Sequence, residues 1–260
     1  MINLGQEKLE LFAKRLDDAQ KNVKAIAQLT DEVASLNKAE ALAIQKLSMQ
    51  ERYKRGEKRI GVKMGLTSIA KMRQVNVDEV IWGRLTDEML INEGGFVSRQ
   101  KFIHPRAEPE IAFLLKRDLP KGATGPDIVN AIEAIMPAIE IIDSRYENFQ
   151  FRLADVIADN SSSSGVMFGH PQLPRNVENL GMIMRFNGRP VEMGSSAAIL
   201  GNPLRALTEA VRLTHEADEP LKAGDLVLAG ASTAAANMYP GLYVSVEVQG
   251  LGSAGFTMLD

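Results

Sequence analysis

The chain has 260 residues, 45% of them hydrophobic, and a mean hydropathy of −0.10, which suits one globular domain, with or without an appended segment, that can bury a sizeable core. A formal net charge of −3 without a long basic run argues against binding nucleic acid through its phosphates, and the lack of cysteine excludes disulfide scaffolds, thiolate zinc sites and cysteine nucleophiles. The opening MINLGQEKLELFAKRL is charged and amphipathic, so it reads as neither signal peptide nor membrane span, and the cytoplasm is the expected location.

In chain order, the first third reads as helical. Leu9, Phe12, Leu16, Ala19, Val23 and Ile26 recur at steps of three and four and form one apolar stripe. Thr30-Asp31 breaks it. A second helix is expected from Asn37, an N-cap with Glu40 three residues on, through Ala41, Ile44 and Leu47 to a stop at Gly56. Such stripes pack against the rest of a domain or against a neighbouring subunit. Arg52, Lys54, Arg55, Lys58 and Arg59, interrupted by Glu51 and Glu57, read as the solvated end of that helix, where cations meet the C-terminal dipole.

After Gly56 come short apolar runs between Gly, Pro, Asp and Asn. Strands are expected at 59–63, 110–116, 138–143, 164–168, 181–187, 225–229 and 242–249, and helices near 69–74, 126–136 and 202–215. In the last strand Tyr243, Ser245, Glu247 and Gln249 oppose Val244, Val246 and Val248. Many strands with few helices between them predict an α+β fold on a rolled or barrel-like sheet rather than a doubly wound one.

The sharpest local feature is HPRAEPEIAFLL, residues 104–115. In an extended segment Glu108 and Glu110 share a face, because strand side chains alternate with period two. Two carboxylates about 7 Å apart repel once partly buried, and the apolar run from Ile111 to Leu115 takes this strand into the core. A hard, oxygen-loving cation such as Mg²⁺ or Mn²⁺ relieves that repulsion. Glu140, in PAIEIID, is a third carboxylate between apolar neighbours that needs a partner, and three such ligands leave the remaining octahedral positions for water or substrate. Asp143 in the same segment competes for this role, and spacing does not choose between them. The ordinary alternative is three salt-bridged or surface carboxylates. Lys63, after an apolar strand-like stretch and before Gly65, offers positive charge to an anionic substrate or a proton-transfer group.

Other signals fall away. Gly250, Gly252 and Gly255 match the dinucleotide-binding glycine spacing, but five residues remain after them, too few for the required helix and strand, so a turn between strands is expected. His104, His170 and His215 have no paired spacing, and the single Trp82 forms no stacking ladder with the phenylalanines.

Taken together, GVKMGLTSIAKM (61–72), HPRAEPEIAF (104–113), PAIEIIDSRYENFQF (137–151), ADNSSS (158–163), AGDLVLAG (223–230) and QGLGS (249–253) resemble the fumarylacetoacetate hydrolase superfamily, and within it the hydratase and decarboxylase branch of aromatic meta-cleavage pathways. The resemblance implies a mixed β-roll preceded by helices, with a helical segment over 1–58 and the catalytic domain over 59–260. It also implies that Glu108, Glu110 and Glu140, rather than Asp143, hold Mg²⁺ or Mn²⁺, with Lys63 nearby.

Finer matching favours the decarboxylase side. KMGLTS, SRYENF, Thr233-Ala-Ala235 and QGLGS follow its pattern, whereas hydratases carry a P-D-F-G segment whose Asp is implicated in water addition. Its counterpart here is Val80, Ile81, Trp82 and Gly83, with no carboxylate at Ile81. Pro109, where the family usually has a small or acidic residue, and the 231–243 stretch depart from the pattern. Pro109 lacks a ladder donor, so its strand is expected at an edge or beside a bulge.

The implied reaction is decarboxylation of 2-oxohex-3-enedioate to 2-hydroxypenta-2,4-dienoate and CO₂, with a divalent metal and no organic cofactor. Lys63 is the expected catalytic charge or proton-transfer group; Asn160, Ser161 and Ser68 are expected to bind substrate carboxylate, and Arg145 the distal carboxylate. For Asn160 and the serines the alternative is a turn or cap, and for Arg145 a structural ion pair. The expected partners are a small 2-oxo dicarboxylate, further copies of the chain in a homo-oligomer, and the hydratase of the same pathway. Hydration of 2-hydroxypenta-2,4-dienoate is the second reading, and a non-catalytic subunit of a hydratase the third.

Overall fold

The computed structural model describes residues 2–68, 72 and 79–260; the helix expected near 69–74 falls, apart from Met72, outside them. Helix α1 (Gln6–Lys21) buries Leu9, Phe12, Leu16 and Ala19 of the apolar stripe. It stops short of the expected length because Val23 turns left-handed (φ 51°), a conformation that ends a helix at C′. Ile26 instead exchanges backbone hydrogen bonds with Arg145 and Glu147 on either side of Tyr146. Where the stripe breaks, a single turn forms α2 (Leu29–Glu32).

Helix α3 (Lys38–Lys54) begins at the expected cap: the Asn37 side chain accepts from Glu40 N, and the Glu40 carboxylate accepts from Asn37 N, an arrangement worth about 1 kcal/mol. Its basic end is not simply solvated. Arg52 pairs with Glu57 (2.8 Å), Arg55 with Asp17 (2.6 Å) and Arg59 with Asp225 (3.0 Å). Helices α1 and α3 share a hydrophobic cluster with Ile81, Tyr146, Val156 and Ile157.

Two mixed sheets follow. The larger runs in the order β2 (Ile81–Thr86), β1 (Arg59–Gly65), β10 (Leu226–Leu228), β5 (Arg106–Leu115), β6 (Ile132–Ile142), β7 (Ser163–Phe168) and β3 (Leu90–Ile91), with β11 (Ala236–Asn237) paired to one end of β5. The smaller runs β4 (Phe96–Ser98), β13 (Gly252–Leu259), β12 (Tyr243–Val248), β8 (Gly181–Phe186) and β9 (Arg189–Ser195). One core cluster joins Ile111, Phe113, Ile135 and Ile139 of the first sheet to Met182, Met184, Val244 and Val246 of the second. Helix α5 (Pro203–Glu216) adds Ala206, Leu207 and Val211 to it. The architecture is the expected α+β, and the valines of β12 all point inward.

Three expectations change. The helix near 126–136 ends early: α4 (Gly125–Ala131) gives way to β6 at Ile132. The run IEAIMPAIEII is buried on both faces between β5 and β7, and Pro137 cannot sit inside a helix. Second, β5 is a central strand, not an edge. Its Pro109 carbonyl accepts from Ser232 N (3.2 Å), on the flank where β10 has stopped and β11 has not begun. The proline therefore occupies a gap in the ladder, where no donor is required. Third, Gly252–Leu259, part of which reads as glycine-rich turn, is a full strand; the turn itself sits at Gly250 and Gly252, both with positive φ. Among the described residues, no helix is long and apolar enough to cross a membrane.

Candidate active site

Glu108 and Glu110 project from one face of β5, and the antiparallel register sets Glu140 of β6 directly opposite Glu108. One carboxylate oxygen from each of the three lies within 4.8 Å of the others, and all three side chains are buried. From β1, Lys63 Nζ reaches to 3.0 Å from Glu140 Oε2. That ion pair lacks hydrogen-bond alignment; the ammonium donates instead to the Ser161 carbonyl at 3.0 Å.

The electrostatics of the cluster are unbalanced. Among the described residues three carboxylates face one ammonium, and Glu110 Oε1 and both Glu140 oxygens have no hydrogen-bond partner. Burial pushes Glu140 up to about 7 despite the opposing pull of Lys63, and burial together with the neighbouring Glu140 charge raises Glu110 well above the carboxylate range. Burial alone would lower Lys63, but the charges of Glu140, Glu108 and Glu110 outweigh it and keep the ammonium above its ordinary value. A hard dication among these oxygens would cancel the excess charge and satisfy the orphaned lone pairs, so the donor set fits one.

Asp143, the competing third carboxylate, is occupied elsewhere. It accepts from Ile103 N and His104 N at 2.7 Å each and so ties down the loop leading into β5.

The acidic group is held by tight backbone. Gly230 N donates to Glu110 Oε2 at 2.7 Å. At its φ of 103° a side chain is disfavoured, and a Cβ would lie 2.0 Å from Thr67 Oγ1. Asn160, Ser161 and Ser162 are three consecutive left-handed residues (φ 47°, 52° and 58°), an uncommon, strained arrangement for non-glycine backbone. The loop presses on Gly83 so closely that a Cβ there would lie 2.4 Å from Asn160 O. This strain aims the Ser161 carbonyl at Lys63.

A cavity of about 390 Å³ opens beside the cluster. Lys63, Glu108, Ser68, Ser161 and Ser162 form its polar side, and Ile81, Ile142, Phe149, Phe151, Leu153 and Val156 its apolar wall. A larger cleft of about 460 Å³, lined by residues such as Gln20, Arg52 and Phe96, contains none of the three glutamates.

The expected site residues separate into two groups. Lys63, Ser68, Ser161, Glu108, Glu110 and Glu140 gather here. The Ser161 hydroxyl donates to Trp82 O at 2.7 Å, so this residue holds the loop and orients Lys63. Arg145 and Asn160 do not line the cavity. Arg145 is buried, pairs through Nε with Asp159, and donates from Nη1 to Ser164 Oγ (2.6 Å) and Ser163 O (3.3 Å). The expected distal-carboxylate contact thus gives way to a structural ion pair. Asn160 clamps Arg84, accepting from its N at 2.7 Å and donating to its O at 2.9 Å; both amide groups are used, and it too leaves the list of substrate contacts. Ser162 has a buried hydroxyl with no partner at the cavity wall; in the sequence only its place in ADNSSS points to it.

Comparison with known proteins adds to this geometry. A family model described as fumarylacetoacetate (FAA) hydrolase C-terminal matches residues 60–258. A protein from Pseudomonas sp. named 4-oxalocrotonate decarboxylase is 50% identical over 251 residues, 96% of this chain and 98% of that protein. A 2-keto-4-pentenoate hydratase from Paraburkholderia xenovorans is 34% identical over 248 residues, 94% of this chain and 92% of that one. The solved structure of 4-oxalocrotonate decarboxylase from Pseudomonas putida, complexed with magnesium and adipate, aligns with a TM-score of 0.95 at 36% identity and covers 100% of both chains.

Proposed function

The chain belongs to the fumarylacetoacetate hydrolase family, and we propose that it decarboxylates 2-oxohex-3-enedioate to 2-hydroxypenta-2,4-dienoate and CO₂, using a divalent metal. Glu108, Glu110 and Glu140 would hold Mg²⁺ or Mn²⁺; when bound, the dication supplies Lewis-acid stabilisation of negative charge at the 2-oxo end of the substrate.

In the substrate the C5–C6 bond breaks and CO₂ leaves. The freed pair forms C4=C5, the C3=C4 pair moves to C2=C3, and the carbonyl pair moves onto the 2-oxo oxygen, where a proton completes the enol. Lys63, kept charged by the surrounding glutamates, sets a positive Nζ beside this developing oxyanion. Ser161 fixes that ammonium through its carbonyl, and its own hydroxyl is fixed by Trp82 O. Ser68 and Ser162 offer hydroxyls along the polar wall.

The observation that carries the choice of reaction is the apolar wall. Glu108 is the single carboxylate residue among the described residues lining the cavity, and Ile81 stands where hydratases carry the Asp implicated in water addition. Ile142, Phe149, Phe151 and Leu153 strip water from a carboxylate that becomes neutral as CO₂, which favours bond cleavage over hydration. The product is the substrate of a sister hydratase, and the reading extends to a homo-oligomer that associates with that enzyme.

The test supplies protein and Mg²⁺ separately with 2-oxohex-3-enedioate and with 2-hydroxypenta-2,4-dienoate, following ultraviolet absorbance and CO₂. Decarboxylation of the first alone is expected; turnover of the second alone would replace this reading with hydration. Lys63→Met is expected to bind metal normally and to lose most activity, and intact turnover would remove Lys63 from the mechanism.

A further inference from the structure

With Arg145 committed to Asp159, the cation that receives the second carboxylate of a dicarboxylate must lie elsewhere. Arg106 begins β5, two and four residues before Glu108 and Glu110, and so shares their face of the strand. Its cross-strand partner in the register is Ile142, and its guanidinium carbon sits 3.9 Å from the centre of the Phe149 ring. Glu108, Ile142 and Phe149 all line the cavity. Arg106 thus stands among three cavity residues, at the end away from Glu110.

Its charge is poised for an anion. The Phe149 face satisfies it in part, but Arg106 Nε is buried with no hydrogen-bond partner, and among the described residues no carboxylate forms a salt bridge with it. The same ring carries His104 at 5.3 Å between centroids, and His104 Nε2 is likewise buried without a partner. The unsatisfied guanidinium N–H of Arg106 needs an acceptor, and a carboxylate supplies the planar acceptor pair a guanidinium fits best. Arg106 stands just behind the lining, against Phe149, whereas Arg152, which does line the cavity, already donates to Thr30 Oγ1 (2.7 Å) and Asp31 Oδ1 (3.3 Å).

We propose that Arg106 is the specificity-determining residue for the second carboxylate of the substrate, gripping it beside Phe149 and Ile142, on the side of Glu108 away from Glu110. The assignment rests on the reading of this cavity as a 2-oxo dicarboxylate site. It has a kinetic consequence. The gripped group departs as neutral CO₂, so the contact belongs to the ground state and is lost as the reaction proceeds. Removing it weakens substrate binding more than it slows the chemical step.

Two ligands separate this role from a structural one: 2-oxohexanedioate and 2-oxohexanoate, which share the 2-oxo acid head and differ at the far end, carboxylate against methyl. Binding of each to Mg²⁺-loaded protein is measured by calorimetry for the wild type, Arg106→Met and Arg106→Lys. For Arg106→Met we expect the dicarboxylate to weaken about 10- to 150-fold, the range of a lost charge-assisted hydrogen bond, and the monocarboxylate to change less than about twofold. Arg106→Lys should recover part of the dicarboxylate affinity, since it keeps the charge and loses the fork. Equal losses for both ligands, or none for either, would overturn the assignment, as would the dicarboxylate-selective loss appearing in Arg152→Met instead. With 2-oxohex-3-enedioate, Arg106→Met should raise KM far more than it lowers kcat. If the wild type shows the dicarboxylate preference and Arg106→Met abolishes it, yet the wild type releases no CO₂, then the reaction assigned above is wrong while the binding role of Arg106 stands.

Discussion

Around Glu140 and around Arg145, five residues apart in the chain, the protein buries charge in two different ways. Arg145 and Asp159 are both nearly inaccessible, yet the guanidinium meets Asp159 and two serines, and Asp159 also accepts from Arg145 N at 3.0 Å. Nothing in that cluster asks for a ligand. Among the described residues around Glu140 the carboxylates outnumber the cations, and three of their oxygens have no hydrogen-bond partner. Buried polar atoms are almost always satisfied, so the incomplete cluster is the one suited to take a ligand, and the complete one serves as a structural joint. The loop 160–162 follows Asp159 of the joint directly and reaches the site: Asn160 clamps the backbone of Arg84, and Ser161 meets Lys63.

The largest expected contrast comes from removing one charge on each side. Glu110→Gln keeps the acceptor for Gly230 N but removes a buried negative charge. Mg²⁺ affinity should fall at least about 100-fold and CO₂ release with it, while the metal-free protein unfolds at the same temperature as the wild type or higher. Calorimetry and thermal unfolding check the two halves; normal Mg²⁺ binding by the variant would erase the distinction.

Arg145→Met should do the reverse. It strands the Asp159 carboxylate, costing about 3–5 kcal/mol of stability by denaturant unfolding, while the fraction that remains folded still binds Mg²⁺. Loss of Mg²⁺ binding at unchanged stability would move Arg145 back into the site.

A smaller effect is set by pH. The metal-free fold holds protons on Glu140 and Glu110 more tightly than the unfolded chain does, so these groups stabilise the metal-free protein most below about pH 4.5, and that contribution is lost as pH rises through about 7. Mg²⁺ competes with those protons, so its affinity should climb over the same window and level off above it. The gap in Tm between Mg²⁺-saturated and chelator-treated protein is therefore expected to widen between about pH 5 and about pH 8; a gap that narrows would contradict the raised carboxyls.

Sequence alone determined what depends on near neighbours. The period of a strand put Glu108 and Glu110 on one face, the Asn37–Glu40 spacing fixed the start of α3, and the valine alternation set the inner face of β12. Family motifs added Glu140 and Lys63, which periodicity could not rank above Asp143 or an ordinary surface lysine. What tertiary structure decided was partnership. Glu140 faces Glu108 because of the β5–β6 register, and Asp143, three residues on, is taken by the amides of 103 and 104. Arg145 and Asn160 carry donors suited to a substrate carboxylate, but residues 14 and 76 positions away had already claimed them. Arg106, by contrast, sits among ordinary strand residues until Phe149 is folded against it. Periodicity is a property of a few adjacent dihedral angles and survives in the sequence; whether a polar group is left wanting a partner depends on contacts across the whole chain, and only the folded molecule contains them.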